Sequence, residues 1–281
     1  MKNVTLNNGV QMPILGYGVF QVPDYEECKN SVLEALKAGY RSIDTAQIYG
    51  NEKAVGDAIK ESGIPREELF ITTKLWITDY GYEKAKKAFQ TSLDNLQLDY
   101  LDLYLLHQPY NDVYGSWRAL EELYKEGKIK AIGISNFHPD RVIDILSFNE
   151  IVPAVNQIET NPFFQREADN QIMKEFGIQH ESWAPFAEGK EDFFTNQKLA
   201  GIGAKYGKSV AQVALRWMIQ RDIVVIPKSV TPSRIKQNID VFDFELTDED
   251  MQSIAQLESN SSKFFDHRDP NMVKWFASLV K

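Results

Sequence analysis

The sequence predicts a (β/α)8 TIM barrel with an N-terminal β-hairpin and extra C-terminal helices, and three observations carry that prediction. Short apolar, β-branched runs alternate with longer segments of helical periodicity. The runs begin at residues 41, 69, 101, 129, 154 and 177, at steps of 23 to 32, before a longer step of 45 to residue 222. The stretch RSIDTAQIYGNE (41–52) carries no glycine-rich turn, which disfavours the rival open doubly wound sheet. Strand–helix units of near-constant length read as parallel strands with right-handed crossovers. Eight of them in about 250 residues is the size of a closed barrel.

Taken in order, residues 3–18 precede the first unit, and Asn7-Asn8-Gly9 between apolar runs reads as a hairpin. It is expected to plug the bottom of the barrel. Strands are expected at 41–46, 69–76, 101–107, 129–135, 154–159, 177–183 and 222–229, with a short eighth near 241–244. Between them, residues 209–220 place Val210, Val213, Ala214, Trp217 and Met218 on one helical face; residues 83–97 and 140–148 read alike. Asn51, Pro139 and Thr231-Pro232 are helix starts, and Gly39, Gly63, Gly127 and Gly177 are stops. No linker or low-complexity tract interrupts the chain, so residues 1–281 are expected to form one domain.

Composition bounds the function. Hydrophobic residues are 43% and charged residues 25%, ordinary for a globular chain with a large core. A net charge of −9 gains nothing from counterion release, so no nucleic-acid partner is expected. No apolar run approaches the roughly 18 residues of a membrane span. The first residues lack the apolar region of a secretory signal, so a cytoplasmic location is the expectation. Cys28 is the single cysteine, which excludes an internal disulfide and a cysteine zinc cluster. The four histidines show no i, i+4 pair, and no metal is expected. GIGAKYGKS (201–209) misses the phosphate-loop spacing and follows a helical stretch. There is no GxSxG elbow.

The strand ends are unusually polar. The first strand ends Asp44-Thr45-Ala46 with Tyr49 in the following loop; the second carries Lys74; the third ends at His107. The next three end Ser135-Asn136, Asn156-Gln157-Ile158-Glu159 and Glu181-Ser182-Trp183. In a barrel these ends form the active face. Alone, Asp44 reads as a cap, His107 as a satisfied core histidine, Lys74 as half of an ion pair and Tyr49 as packing. Gathered on three successive strands, they make a proton-donating set. Lys74 would lower the phenol's pKa, Asp44 would hold Lys74, and His107 would orient a carbonyl oxygen.

A second constellation lies in IPKSVTPSRIKQN (226–238). Thr231 or Ser233 is expected to cap a helix with Pro232 near its first position. Arg234 in the first turn opposes the helix dipole, and Lys228 sits just upstream. Two cations at a helix N-terminus suit a bound anion such as a phosphate; the alternative is a solvated surface pair.

These segments, with LGYGVF (15–20), ITTKLW (71–76), LDLYLLHQP (101–109), IGISNF (132–137) and SWAPF (182–186), resemble the aldo-keto reductase superfamily over essentially the whole chain. The likeness extends to its bacterial-type members such as the 2,5-diketo-D-gluconate reductases. The resemblance implies NADPH/NADP+ as cofactor and a small carbonyl compound as substrate. It implies a catalytic set of Asp44, Tyr49, Lys74 and His107, with Tyr49 the general acid. Ser135, Asn136 and Gln157 would hold the nicotinamide carboxamide, with Trp183 stacked on the ring. Lys228, Ser229, Val230, Arg234 and Asn238 would bind the 2′-phosphate end, with Gln237 near the adenine. Residues 187–196 would lie over the pyrophosphate. Val19, Phe20, Trp76 and Tyr110 would line the substrate pocket under the tail 264–275. Two departures stand out: Ala184-Pro185-Phe186 replaces the common Ser-Pro-Leu, and Gln108 replaces the tryptophan that often follows the histidine. Two rivals remain, a Schiff-base lyase or aldolase using Lys74 and a non-catalytic NADPH-binding regulatory subunit. A monomer without membrane association is expected.

Overall fold

The structure, a computed structural model, describes residues 2–280. A hairpin of β1 (Asn3–Thr5) and β2 (Gln11–Pro13) leads into β3 (Tyr17–Gly18) and α1 (Tyr25–Ala38). Next come β4 (Ser42–Asp44), α2 (Glu52–Ser62), β5 (Phe70–Leu75), α3 (Tyr82–Leu96), β6 (Leu101–Leu106), α4 (Val113–Lys125), β7 (Ile129–Ser135) and α5 (Pro139–Ser147). The chain continues with β8 (Val155–Glu159), α6 (Glu167–Glu175), β9 (Gln179–Trp183), α7 (Gln197–Tyr206), α8 (Val210–Gln220), β10 (Val224–Val225) and α9 (Pro232–Ile239). Two further helices, α10 (Asp248–Ala255) and α11 (Pro270–Ser278), follow. The long step before residue 222 is filled by the paired helices α7 and α8. Helix ends fall within a residue or two of the signalled positions. Ser209 caps α8 with a reciprocal Gln212 bond, the capping-box arrangement.

The eight strands from β3 to β10 form one parallel sheet in sequential order. A parallel bridge between Leu15 and Val225 joins its two edges. Across this seam the Gly16 N–H donates to the Val225 carbonyl at 2.8 Å, and the Val225 N–H donates to that of Ile14 at 3.0 Å. The seam corrects the expected strand at 241–244: no strand forms there. The eighth position is taken by β3, ahead of the first predicted strand. Glycines sit in and beside it because neighbours crowd both of its sides. A Cβ on Gly16 would stand 2.9 Å from Ser42 Oγ, and one on Gly18 would stand 2.9 Å from the Ile226 carbonyl oxygen. Those glycines are what hide the strand from a reading based on β-branched content.

The hairpin closes the barrel bottom as expected. Leu6 and Met12 pack against Phe70, Leu103, Leu105 and Val224 in a compact apolar cluster. Asn7 and Asn8 tie the turn to the Pro153 and Lys130 carbonyls. The larger core lies between barrel and helices and includes fully buried Trp117 and Trp217. Apolar filling thus holds the bottom and the outer shell. The upper interior is left to polar side chains.

Candidate active site

At the C-terminal ends of the strands a cavity of about 710 Å³ opens, bordered by Asp44, Tyr49, Trp76, His107, Gln157 and Trp183 among others. Behind its wall lies Lys74, 0% exposed. Asp44 pairs in register with Thr72, so Lys74, two residues on, stands just beyond the end of β4. Its ammonium donates to Asp44 Oδ1 at 2.5 Å and to the Thr45 carbonyl at 2.9 Å. Burial alone would lower the lysine pKa, but Asp44 and the nearby phenol outweigh it and hold the group above its ordinary value. Stranding either charge in such an interior costs about 3–5 kcal/mol, so the pair folds as a unit.

Tyr49 ends a single 3₁₀ turn, Gln47–Tyr49. Gln47 fixes that turn by donating to Asp79 at 2.7 Å and accepting from the Trp76 N–H at 3.1 Å. The Lys74 nitrogen lies 5.2 Å from the Tyr49 ring centroid. Burial pushes the phenol up, and the Lys74 ammonium pulls it down without cancelling that push. The expected lowering by lysine is therefore present but outweighed, and the phenol holds its proton near neutrality. The His107 ring sits edge-on at 5.8 Å from Tyr49 and 5.0 Å from Trp76. Burial, then Lys74 and His267, hold its pKa well below 6.5. It is a neutral imidazole, and its Nδ1 is buried without a partner.

Next to this set the strand ends supply a pre-arranged amide cluster. Asn136, at φ 67°, donates to the His107 carbonyl and to Ser135 Oγ, each at 3.1 Å, and accepts from the Trp183 indole at 2.9 Å. Ser135 donates to the Gln157 carbonyl. Gln157 gives its two amide hydrogens to Asp44 Oδ2 at 2.9 Å and Glu181 Oε2 at 3.0 Å. With the donors spent, what this cluster offers the cavity is acceptor oxygens.

The far end of the cavity reaches Lys228. Thr231 stands before α9, but contrary to expectation neither it nor Ser233 caps the helix. Thr231 makes no side-chain cap bond; its own N–H donates to Ser229 Oγ at 3.2 Å. The first turn of α9 therefore keeps free N–H groups. Lys228 and Arg234 are exposed and stand outside every ion pair among the described residues.

The cavity wall takes in Phe20 and Trp76 but not Val19 or Tyr110. Val19 is fully buried, its N–H on Asp44 and its carbonyl accepting from Asn51. Tyr110 packs behind the wall against Phe276 and donates to the His267 carbonyl. Ser229, Val230, Arg234, Gln237 and Asn238 lie past the cavity's end, on and before α9. Ile48, Phe194, Phe276 and Leu279 also line the cavity; nothing in the sequence sets them apart, since an apolar residue on a cavity wall reads like core. Ala184, Ala187, Glu188, Glu191 and Asp192 all have positive φ, so residues 184–192 form a strained flap along one side.

Residues 14–259 match the model of the Aldo/keto reductase family. Glyoxal reductase of Bacillus subtilis (strain 168) is 52% identical over 92% of this chain and 93% of its own. Methylglyoxal reductase DkgA of Escherichia coli (strain K12) is 43% identical over 91% and 93%. MGS-M4, an aldo-keto reductase from a Medee basin deep-sea metagenome library, superposes with a TM-score of 0.93 at 48% identity, covering 95% of this chain and 98% of that one. A Bombyx mori aldo-keto reductase in complex with NADP superposes at 0.89 with 35% identity over 94% and 95%.

Proposed function

This chain belongs to the aldo/keto reductase family and reduces carbonyl compounds with NADPH; we propose that Tyr49, Asp44, Lys74 and His107 carry the reaction. The observation behind the assignment is the buried Lys74–Asp44 pair backing a protonated phenol, with a neutral imidazole beside it, at one cavity wall.

The residues present fit the cofactor. The acceptor-rich cluster of Ser135, Asn136 and Gln157 suits the amide hydrogens of a nicotinamide carboxamide, and the indole that Asn136 anchors offers a flat face beside it. Lys228, Arg234 and the uncapped turn of α9 suit the 2′-phosphate. Ser229, Val230, Gln237 and Asn238 complete that end. Bound NADPH supplies the hydride. The protein's own part is to place and protonate the carbonyl oxygen. The neutral His107 donates a hydrogen bond to that oxygen, and Tyr49 passes it a proton. Lys74, held cationic by Asp44, stabilises the phenolate left behind. Phe20 and Trp76 form part of the wall against which the substrate packs, with Val19 and Tyr110 supporting it from behind.

The Schiff-base alternative has no support: Lys74 is enclosed, doubly hydrogen-bonded and held protonated. Residues 1–281 work as one catalytic unit, a cytoplasmic monomer with a small carbonyl compound as its partner and no nucleic acid. No helix among the described residues is long and apolar enough to cross a membrane. Glyoxal-type dicarbonyls, named in two relatives, head the panel of substrates to test, followed by aromatic aldehydes and sugar ketones. The expected result is loss of NADPH absorbance matched one for one by alcohol formed; no turnover with any carbonyl would overturn the reading.

A further inference from the structure

Glu181 is fully buried inside the barrel, and the mechanism above does not use it. It sits on β9 in register with Gln157 of β8, and on its other side with the apolar Val224 of β10. Gln157 reaches from β8 to Asp44, whose strand lies on the far side of the barrel, and its amide bridges the two carboxyl groups. With both its hydrogens given to carboxyl oxygens, its carbonyl oxygen is the group left for the cavity. The bridge makes one line from Glu181 through Gln157 and Asp44 to Lys74 and Tyr49. Glu181 Oε1, at the end of the line, is buried with no partner, a costly position for an ionised oxygen.

We propose that Glu181 is a positioning residue for the nicotinamide end of the cofactor site: it fixes the orientation of Gln157, and its ionisation biases the site between the oxidised and reduced cofactor. This rests on the reductase reading given above. The charged and titratable groups around it are Asp44 on β4, Lys74 on β5 and Tyr49 in the turn after β4. Burial pushes the Glu181 carboxyl up to about 8; Asp44 adds to the push, while the Gln157 bond and Lys74 pull back. Below that pH the group is neutral. Above it, a second negative charge stands behind the Gln157 amide that would hold the nicotinamide carboxamide. That charge favours the cationic oxidised nicotinamide and leaves the neutral reduced ring indifferent.

The test measures Kd for NADP+ and NADPH by intrinsic fluorescence from pH 6.5 to 9.5, in wild type, Glu181→Gln and Glu181→Leu. Their ratio cancels the 2′-phosphate, whose proton leaves near pH 6 in both forms. In wild type the ratio Kd(NADP+)/Kd(NADPH) should fall about tenfold as pH rises through 8, the scale of one charge–charge interaction over roughly 10 Å at an effective dielectric near 20. Glu181→Gln keeps an acceptor for Gln157, so its affinities at pH 7 should stay within threefold of wild type while the ratio becomes flat. Glu181→Leu should also be flat but bind both forms several-fold more weakly at every pH. A wild-type slope retained in Glu181→Gln, or wild-type binding in Glu181→Leu, would overturn the proposal. If Glu181→Leu does not fold, Glu181→Gln decides alone. A wild type that binds neither form overturns the reductase reading, and this inference with it.

Discussion

The two ends of the cavity are built on opposite plans. At the catalytic end nearly every polar group is already engaged: Lys74 with Asp44, Asp44 with Gln157, Gln157 with Glu181, and Asn136 with Ser135 and Trp183. At the anion end Lys228 and Arg234 are exposed, and α9 starts without a side-chain cap. One end is organised before anything binds, so stabilising a developing charge requires little rearrangement. The other end keeps its donors in reserve for a ligand, so its contribution is to affinity. Chemistry and binding are thus separable by position along a single groove.

That separation can be broken or sharpened by substitution. Tyr49→Phe removes only the donor hydroxyl, and kcat should fall about 10²- to 10⁴-fold, the worth of a general acid. Kd for NADPH should hold within twofold. Steady-state rates and fluorescence titration check both, and a variant keeping a tenth of the wild-type rate would show the proton comes from elsewhere. Arg234→Ala should do the reverse. Losing one charge-assisted contact is worth about 1.5–3 kcal/mol, so NADPH binding weakens by one to two orders of magnitude. NADH binding and kcat at saturation should barely change, and equal losses for both cofactors would remove the phosphate role. The smallest effect should come from Ala184→Ser, at the start of the strained flap. Restoring the hydroxyl common in the family should tighten NADPH binding a few-fold, in line with about 0.5–1.5 kcal/mol for one neutral hydrogen bond. No gain in a calorimetric titration would mean the flap does not bring residue 184 to the cofactor.

How much of this was legible depended on whether the physical signal was local. Lys74 and Asp44 stood out because charges inside apolar strands need partners; Arg234 stood out because it opposes the helix dipole. Glu181 carried the same signal as Lys74, a charge in a buried strand, but its meaning lies in Gln157, a neighbour only in three dimensions. The strand β3 was hidden because Gly16 and Gly18 answer to Ser42 and Ile226, contacts that a window along the chain does not contain. The run 241–244 looked like a strand from composition alone. It lies after α9, and Phe244 packs against Tyr206. The balance at Tyr49 departs from the sequence expectation for a related reason. Proximity to lysine can be read from residue types, but the burial that outweighs it is a property of the closed barrel.

The seam also has a consequence for biogenesis. The stretch from Ile14 to Gly18 is synthesised before every other strand of the barrel sheet, yet its bonds on one side are to Val225 and Pro227, and the Tyr17 hydroxyl reaches the Ser229 carbonyl. More than 200 residues of sequence separate these partners. Ring closure on this scale waits for the residues through Ser229 to leave the ribosome. Until then β3, the first strand of the barrel sheet, has a neighbour on one edge only, and a nascent chain halted before residue 225 is an open sheet whose free edge is available to other strands.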